Sequence, residues 1–143
     1  SIVREKLKIC LAKKIIPVVC IGESIEDYNS GKTLDTLEMQ LKEIFSSIIT
    51  QTAIVIAYEP VWAIGSGNTP SSTEVNNIHQ HIKDIVQSIA NIEAINVIYG
   101  GSVNCKNAKS FFQQSNIDGA LIGGASLDGK NFLNIYNDFL ETL

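Results

Sequence analysis

The carboxylate of Glu59 is the side chain in this sequence best placed to do chemistry. Glu59 follows the apolar run Ala53–Tyr58, which predicts a buried strand, and it is followed by Pro60. Proline restricts the preceding residue to extended backbone and has no N–H to donate to a strand ladder. The strand is therefore expected to end at Glu59, where a loop begins. A carboxylate held at such a rim can act as a general base. The alternative is an acidic residue that merely opens a surface loop.

Small-residue loops follow the same strand and two later apolar runs. Gly65-Ser66-Gly67 lies in the loop after Glu59, whereas Gly100-Gly101-Ser102 and Gly123-Gly124 follow the later runs. Backbone N–H groups in such loops can approach an anion closely, particularly at the start of a short helix. Each loop alone could be a tight turn, but the last two together indicate a phosphate site. We expect Trp62 to anchor its loop by packing, and Glu23 to be a salt-bridge partner rather than a catalytic group.

The hydrophobic pattern predicts helices and strands in strict alternation after a first helix. The expected helices are Ile2–Lys13, Thr33–Ile49, Ser71–Ala90 (opened by a capping box), Asn104–Gln114 and Asn131–Leu143. The expected strands are Ile15–Ile21, Ala53–Tyr58, Ile95–Tyr99 and Gly119–Ile122. Strands that are apolar throughout, each followed by a helix, belong in a parallel sheet covered by helices. An open doubly wound sheet and a (β/α)₈ barrel both fit, and both place the site at the carboxyl ends of the strands.

Composition narrows the class of protein. The chain has 143 residues, 45% of them apolar, and a net charge of −4, which argues against disorder and against a nucleic-acid partner. No apolar run approaches the roughly 18 residues of a membrane span, and the start lacks a secretory pattern.

The cysteines and histidines have ordinary structural interpretations. Cys10, Cys20 and Cys105 are widely spaced and form no CxxC motif, so we expect reduced thiols packed as small buried hydrophobes. His79 and His81 lie two residues apart on a predicted helix and do not share a face, which argues against a metal site.

Several stretches resemble the triosephosphate isomerase family. The segment Ala57–Gly67 is similar to that family's catalytic glutamate and flexible loop, and Val19–Ser24 to the end of its fifth strand. Tyr99–Val103 and Asp118–Leu127 are similar to its next and last loops. The resemblance implies an α/β fold, the (β/α)₈ TIM barrel. Residues 1–143 would be the carboxyl-terminal half of that single domain, from the helix before strand five to the end, supplying the last four βα units.

The resemblance also implies a reaction and the residues that perform it. The family interconverts dihydroxyacetone phosphate and glyceraldehyde 3-phosphate in glycolysis and gluconeogenesis, with no cofactor and no metal. Glu59 would be the base that moves a proton between the two carbons. Gly65 would offer its N–H to the substrate phosphate, and Ser102, Gly123 and Gly124 would hold its other oxygens. The closing loop would comprise Pro60, Val61, Trp62, Ala63, Ile64, Ser66 and Gly67, held shut by bonds from Tyr99 and Ser102.

Other parts of the family's pattern have no counterpart here. The lysine near the end of strand one, the electrophilic histidine at the end of strand four and the loop that forms the homodimer are absent from residues 1–143. The resemblance implies a cytoplasmic enzyme whose partners are a triose phosphate and a second subunit, with the missing half supplied elsewhere. The isolated chain is expected to be inactive. Because its edge strands are apolar, it should also be oligomeric, molten or insoluble.

Two other interpretations remain open from the sequence. The chain could be a non-catalytic phosphate-binding half-barrel or a truncated gene remnant. It could also come from another phosphate-binding barrel enzyme, which would leave Tyr58–Trp62 unexplained.

Overall fold

The computed structural model of the chain describes residues 1–92 and 94–142. The helices are α1 (Ile2–Ala12), α2 (Ile25–Asn29), α3 (Thr33–Phe45), α4 (Ser72–Ile89), α5 (Ala108–Phe112) and α6 (Gly129–Leu140). The strands are β1 (Val18–Ile21), β2 (Ile49–Thr50), β3 (Ile54–Tyr58), β4 (Asn91–Ile92) and β5 (Ile95–Tyr99). Short 3₁₀ turns occupy Val61–Ala63 and Gly124–Leu127. No helix among the described residues has the length and apolar character needed to cross a bilayer.

The central sheet is parallel, as predicted, with strand order β1-β3-β5. Cys20 pairs with Ala57, and Ala57 pairs with Ile98, so the carboxyl ends of the three strands lie at the same edge of the sheet. Beyond β5, Ala120 forms a single parallel bridge with Tyr99. A second, two-stranded parallel sheet joins β2 to β4. Every loop that follows a central strand therefore emerges at one edge of the sheet.

Helices cover one face of the central sheet. The side chains on that face are buried: Val19, Ile21, Ile54, Ile56, Tyr58, Val97 and Tyr99. Those on the opposite face of β1 are exposed, including Val18 and Cys20, while Val55 and Ile98 behind them are only half-buried. The alternation follows from the two-residue period of a strand. The predicted buried first strand is therefore wrong for one of its faces.

The boundaries of the first strand and of the following helix differ from the expected ones. Strand β1 begins at Val18 rather than Ile15, because Pro17 has no N–H for the ladder and only its carbonyl accepts, from Val55 N (3.0 Å). Helix α3 ends at Phe45 rather than Ile49. Ser47 then takes a positive φ of 65°, which turns the chain into β2. The short elements α2, β2 and β4 were not predicted.

The last part of the chain also departs from the expected pattern. Instead of the predicted strand Gly119–Ile122, the chain forms only a single bridge at Ala120. Two hydrogen bonds hold this bridge: Tyr99 N–H donates to Gly119 O (3.0 Å), and Leu121 N–H donates to Tyr99 O (2.9 Å). Asn104 does not cap α5, because its side chain accepts from Lys106 N (2.8 Å) in a local turn. The predicted last helix, Asn131–Leu143, begins earlier, since Asp128 caps α6 through Asn131 N (2.8 Å). Its predicted end at Leu143 lies outside the described residues.

Helix α4 carries a buried histidine. The N-cap half of the predicted capping box is confirmed, since Ser71 Oγ accepts from Glu74 N (3.2 Å), whereas the Glu74 carboxylate lies near the Tyr28 hydroxyl. Eight residues after the cap, His79 is fully buried and its ring meets Tyr58 edge-on, with centroids 5.9 Å apart. Nδ1 of His79 lies 3.2 Å from the Asn116 carbonyl, which can only accept, so Nδ1 carries the proton of the neutral ring. Burial lowers the pKa of His79 to about 4.

Acid should therefore destabilise the fold through His79. The unfolded chain binds this proton near pH 6.5 but the folded chain only near pH 4, so stability is full above pH 6.5 and falls between those values. We expect a loss of about 3 kcal/mol from this group by pH 4. Urea unfolding at a series of pH values from 7.5 to 4 measures the free energy of unfolding. The parent protein is compared with the variant His79→Gln, and both proteins keep His81. An identical loss in the variant would contradict the assignment.

Candidate functional site

Glu59 lies half-buried at the carboxyl end of β3, between the ends of the two neighbouring strands. Its N–H donates to Ile21 O on the β1 side (2.7 Å), and Gly100 N–H donates to Tyr58 O on the β5 side (2.8 Å). The ladder hydrogen bonds thus continue on both sides to the residue that carries the carboxylate. The structure places Glu59 at the strand rim that the sequence indicated, and backbone bonds fix its position.

Two glycines make room for Glu59. A Cβ on Gly22 would lie 1.7 Å from Glu59 O and 2.5 Å from Glu59 C, so no side chain fits there. A Cβ on Gly100 would lie 2.5 Å from Cγ of Glu59 and 3.1 Å from its Oε1. The first glycine lets the backbones of β1 and β3 approach, and the second leaves space for the carboxylate. This close approach explains why both neighbouring strands end in glycine.

Gln40 on α3 holds the end of β1 in place. Gly22 N–H donates to Gln40 Oε1 (3.0 Å), and Gln40 Nε2 donates to Gly22 O (2.9 Å). One side-chain amide thus satisfies both backbone polar groups of a residue that lies just beyond the strand. Sequence reasoning missed Gln40, since a single glutamine on a helix carries no local signal.

Cys20 is another side chain beside Glu59, and its predicted burial is wrong. It lies on the open face of β1 and is exposed, not buried as predicted. Partial burial raises the pKa of the Cys20 thiol, and the nearby Glu59 carboxylate raises this pKa further. The neighbour of Glu59 is therefore a neutral thiol. Cys105 is also exposed, in the loop before α5, and Cys10 is half-buried; all three are free thiols.

The first part of the loop after Glu59 is tied to Glu23. Trp62 Nε1 donates to Glu23 Oε1 (3.0 Å), and Val61 N–H donates to Glu23 O (3.1 Å). Tyr58 Oη donates to the same Oε1 (3.1 Å), and burial together with the Glu23 charge raises the pKa of Tyr58, so its hydroxyl stays protonated. Glu23 is fully buried and its partners are neutral donors. The expected salt bridge is therefore wrong, whereas Trp62 does anchor the loop.

The later part of the loop is tied to Ser102, in the loop after β5. Ser102 Oγ donates to Ala63 O (2.6 Å) and accepts from Gly67 N (3.3 Å). Gly65, between these two contacts, and Gly67, at the second of them, take positive φ values of 65° and 78°, a conformation that glycine adopts without strain. Ile64, Gly65 and Ser66 are exposed, so the loop between its two anchors has few packing contacts.

The remaining predicted loop residues divide into buried and exposed sets. Pro60 and Ala63 are buried, while Val61 is exposed. Tyr99 is buried, burial raises its pKa, and its hydroxyl has no hydrogen-bond partner among the described residues, so its predicted bond to the loop is not formed in this conformation. A Cβ on Gly101 would lie 2.1 Å from Tyr99 Oη, which explains the second glycine of that pair.

The last predicted anion loop lies at the same edge of the sheet. Gly123 and Gly124 are exposed and follow the Ala120 bridge, and the 3₁₀ turn that begins at Gly124 is closed by Ser126 N–H to Gly123 O (2.9 Å). Because the Ala120 segment runs parallel to β5, this loop and Ser102 leave the sheet in the same direction. A Cβ on either glycine would meet open space. His79 and His81 both lie within α4.

Parallel strands alternate with helices, and a carboxylate and small-residue loops lie at the carboxyl ends of the strands; this arrangement defines an α/β protein and is typical of the TIM-barrel class. A solved structure titled triosephosphate isomerase from Bartonella henselae superposes with a TM-score of 0.84 and 35% identity, covering 97% of this chain and 56% of that one. The family model described as triosephosphate isomerase matches residues 1–139. The chain belongs to the triosephosphate isomerase family.

Curated relatives agree with this membership. A triosephosphate isomerase of Dehalococcoides mccartyi is 41% identical over 138 residues, which is 94% of this chain and 54% of the relative. One of Rhizobium meliloti is 41% identical over 143 residues, 99% of this chain and 56% of the relative. The chain thus spans about half the length of the curated relatives it matches.

The glycines around Glu59 provide a test of the packing. Gly22→Ala should lower the free energy of unfolding by about 3 kcal/mol, because the new Cβ collides with backbone that cannot move independently. Gly100→Ala should have a smaller effect, since the Glu59 side chain can rotate away. Urea titration measures both, with Gly124→Ala as the control, expected within about 0.5 kcal/mol of the parent. If the three variants were equally stable, the close approach would not constrain the fold.

Proposed function

We propose that residues 1–143 are the carboxyl-terminal half of a triose-phosphate isomerase barrel, a single domain. The complete protein would interconvert dihydroxyacetone phosphate and glyceraldehyde 3-phosphate in the cytoplasm, as a homodimer. The observation that carries this proposal is the position of Glu59. Its backbone is held at the strand rim by both neighbouring strands, and the loop that follows it is anchored at Glu23 and Ser102.

Glu59 would act as the base of the isomerisation. Its carboxylate removes a proton from the carbon next to the carbonyl, leaving an enediolate, and returns this proton to the former carbonyl carbon. The hydroxyl proton passes from its oxygen to the former carbonyl oxygen in the same conversion, so that carbonyl and hydroxyl exchange places. Atoms and electrons balance without an oxidant or a cofactor, because the reaction only moves hydrogen within one molecule. Cys20 supports this role, since a neutral thiol beside Glu59 adds no second negative charge to the site.

The substrate phosphate would be held by backbone and hydroxyl groups. Gly123 and Gly124 offer an exposed, side-chain-free approach, and Ser102 lies after the adjacent strand at the same edge. Gly65 would add its N–H when the loop closes, with Pro60 to Gly67 as the moving segment and Tyr99 as a further bond to it. The unpartnered Tyr99 hydroxyl is consistent with a bond that forms only in another loop conformation.

A negative charge develops on the carbonyl oxygen of the substrate, and a hydrogen-bond donor must stabilise it. None of the described residues supplies this donor near Glu59. Both histidines lie within α4, and the lysine and histidine of the family's first and fourth strands have no counterpart in residues 1–143. We propose that the amino-terminal half of the barrel supplies them. The groups of such a site act as a unit, so the activity belongs to the complete barrel.

Replacing the base should abolish turnover without abolishing binding. In the complete barrel, Glu59→Gln should lower kcat by about 10²–10⁴-fold, since the amide cannot accept the proton. A coupled assay measures kcat, and calorimetry measures binding of an unreactive phosphorylated analogue, which should change little. Glu26→Gln is the matched control, because Glu26 is an exposed carboxylate on α2. A variant that keeps a third of its activity would exclude Glu59 as the base. Analogue binding without any isomerase activity in the parent protein would favour the non-catalytic phosphate-binding module.

The isolated chain should behave as an incomplete barrel. Ile16 and Val18 are 59% and 50% exposed at the β1 edge, so the 143-residue chain should self-associate and show no detectable isomerase activity. Sedimentation and a coupled assay on the same sample test both parts. Val18→Lys, which places a charge on the exposed edge, should reduce the association. A compact monomer with native-like turnover would contradict this expectation.

A further inference from the structure

Trp62 is supported by a second side chain that the proposed mechanism does not use. Besides its bond to Glu23, the indole packs against the ring of Tyr28 on α2, with centroids 4.3 Å apart and planes inclined at 34°. This is the closest ring pair among the described residues. The flanking apolar residues of the loop, Val61 and Ile64, are 61% and 50% exposed. The Tyr28–Trp62 pair, together with the buried Pro60 and Ala63, therefore packs the first part of the loop.

Tyr28 also reaches the helix that follows the loop. Its hydroxyl lies 3.5 Å from Glu74 Oε2, at the outer limit of a hydrogen bond, and Glu74 is in the first turn of α4. Burial and the Glu74 charge raise the pKa of Tyr28, so the hydroxyl keeps its proton. One side chain thus touches the start of the loop through Trp62 and the element after the loop through Glu74.

The short helix that carries Tyr28 is itself fixed. Ser24 caps α2, with Ser24 Oγ accepting from Asp27 N (3.2 Å), and Gln40 holds the preceding Gly22. The ring of Tyr28 is therefore carried on backbone that β1 and α3 hold in place, in addition to the bonds that Glu23 makes to the loop. This makes the ring a surface against which the loop can pack.

We propose that Tyr28 is a positioning residue for the loop Pro60–Gly67, acting through Trp62. Its ring stabilises the loop conformation seen here and so sets how readily the loop leaves it. The catalytic consequence rests on the proposed isomerase function, in which this loop closes over substrate, but the positioning itself does not. Among the described residues Tyr28 has no hydrogen bond or ring contact to Glu59, Ser102 or the Gly123-Gly124 loop, so no direct catalytic role is assigned to it.

Hydrogen exchange of the complete barrel, followed by mass spectrometry, tests the positioning without requiring activity. In Tyr28→Leu, a peptide covering residues 59–67 should exchange about 2- to 10-fold faster, the range expected for loss of an aromatic pair. A peptide covering β3, residues 54–58, should be unchanged. Tyr28→Phe should keep the slow exchange because it retains the ring. Tyr136→Leu is the matched control, since Tyr136 is a half-exposed tyrosine on α6.

The outcomes separate a positioning role from a purely structural one. Unchanged loop exchange in Tyr28→Leu would overturn the proposal, and so would faster exchange spread equally over the β3 peptide or produced equally by Tyr136→Leu. In the complete barrel, Tyr28→Leu should also lower kcat/KM by a similar factor while Tyr28→Phe leaves it unchanged. If the barrel has no isomerase activity, the proposed function fails and the exchange result still decides the role of Tyr28.

Discussion

The close approach of three strand ends around Glu59 is the constraint on which the rest of the site depends. Two neighbouring backbones come so near that only glycine fits at Gly22, and the carboxylate occupies the space that a side chain at Gly100 would fill. Because the strands are parallel and in register, this one point fixes where the loops after all of them begin. Glu23, Trp62 and Ser102 can form their contacts only from these starting positions.

The loop after Glu59 is held by contacts of different strength at its two ends. At the first end a buried carboxylate accepts two neutral donors, Tyr58 and Trp62, and hydrogen bonds to a charged acceptor are about twice as strong as neutral ones. At the other end a single hydroxyl contacts both Ala63 and Gly67, the latter at 3.3 Å, and Gly65 between them and Gly67 itself have positive φ. The loop is therefore better fixed at its start than at its tip, which is consistent with the closing movement that we propose for it.

The sequence predicted the alternation of elements and the rim position of Glu59, because both depend on local apolar runs and on proline and glycine chemistry. It predicted the capping box at Ser71 for the same reason. It could not show that Cys20 is on the open face, since a strand's hydrophobic run does not reveal which face is covered. Nor could it show the partners of Glu23, Gln40 and Tyr28, because these contacts join residues 18 to 46 positions apart. The roles of Glu59 and the phosphate loops remain predictions.

The parallel sheet has a further consequence for the order in which the chain folds. Val18 pairs with Val55 and Ile54 pairs with Ile95, so each strand pairing must first close a segment of about 40 residues. The helices within those segments need only local contacts, and α3 and α4 each carry a continuous apolar stripe. Chains dominated by such distant pairings fold slowly because the loop-closure entropy is lost before the contacts compensate for it. The helices should therefore form early, and the geometry around Glu59, which requires β1, β3 and β5 together, should be among the last features to appear.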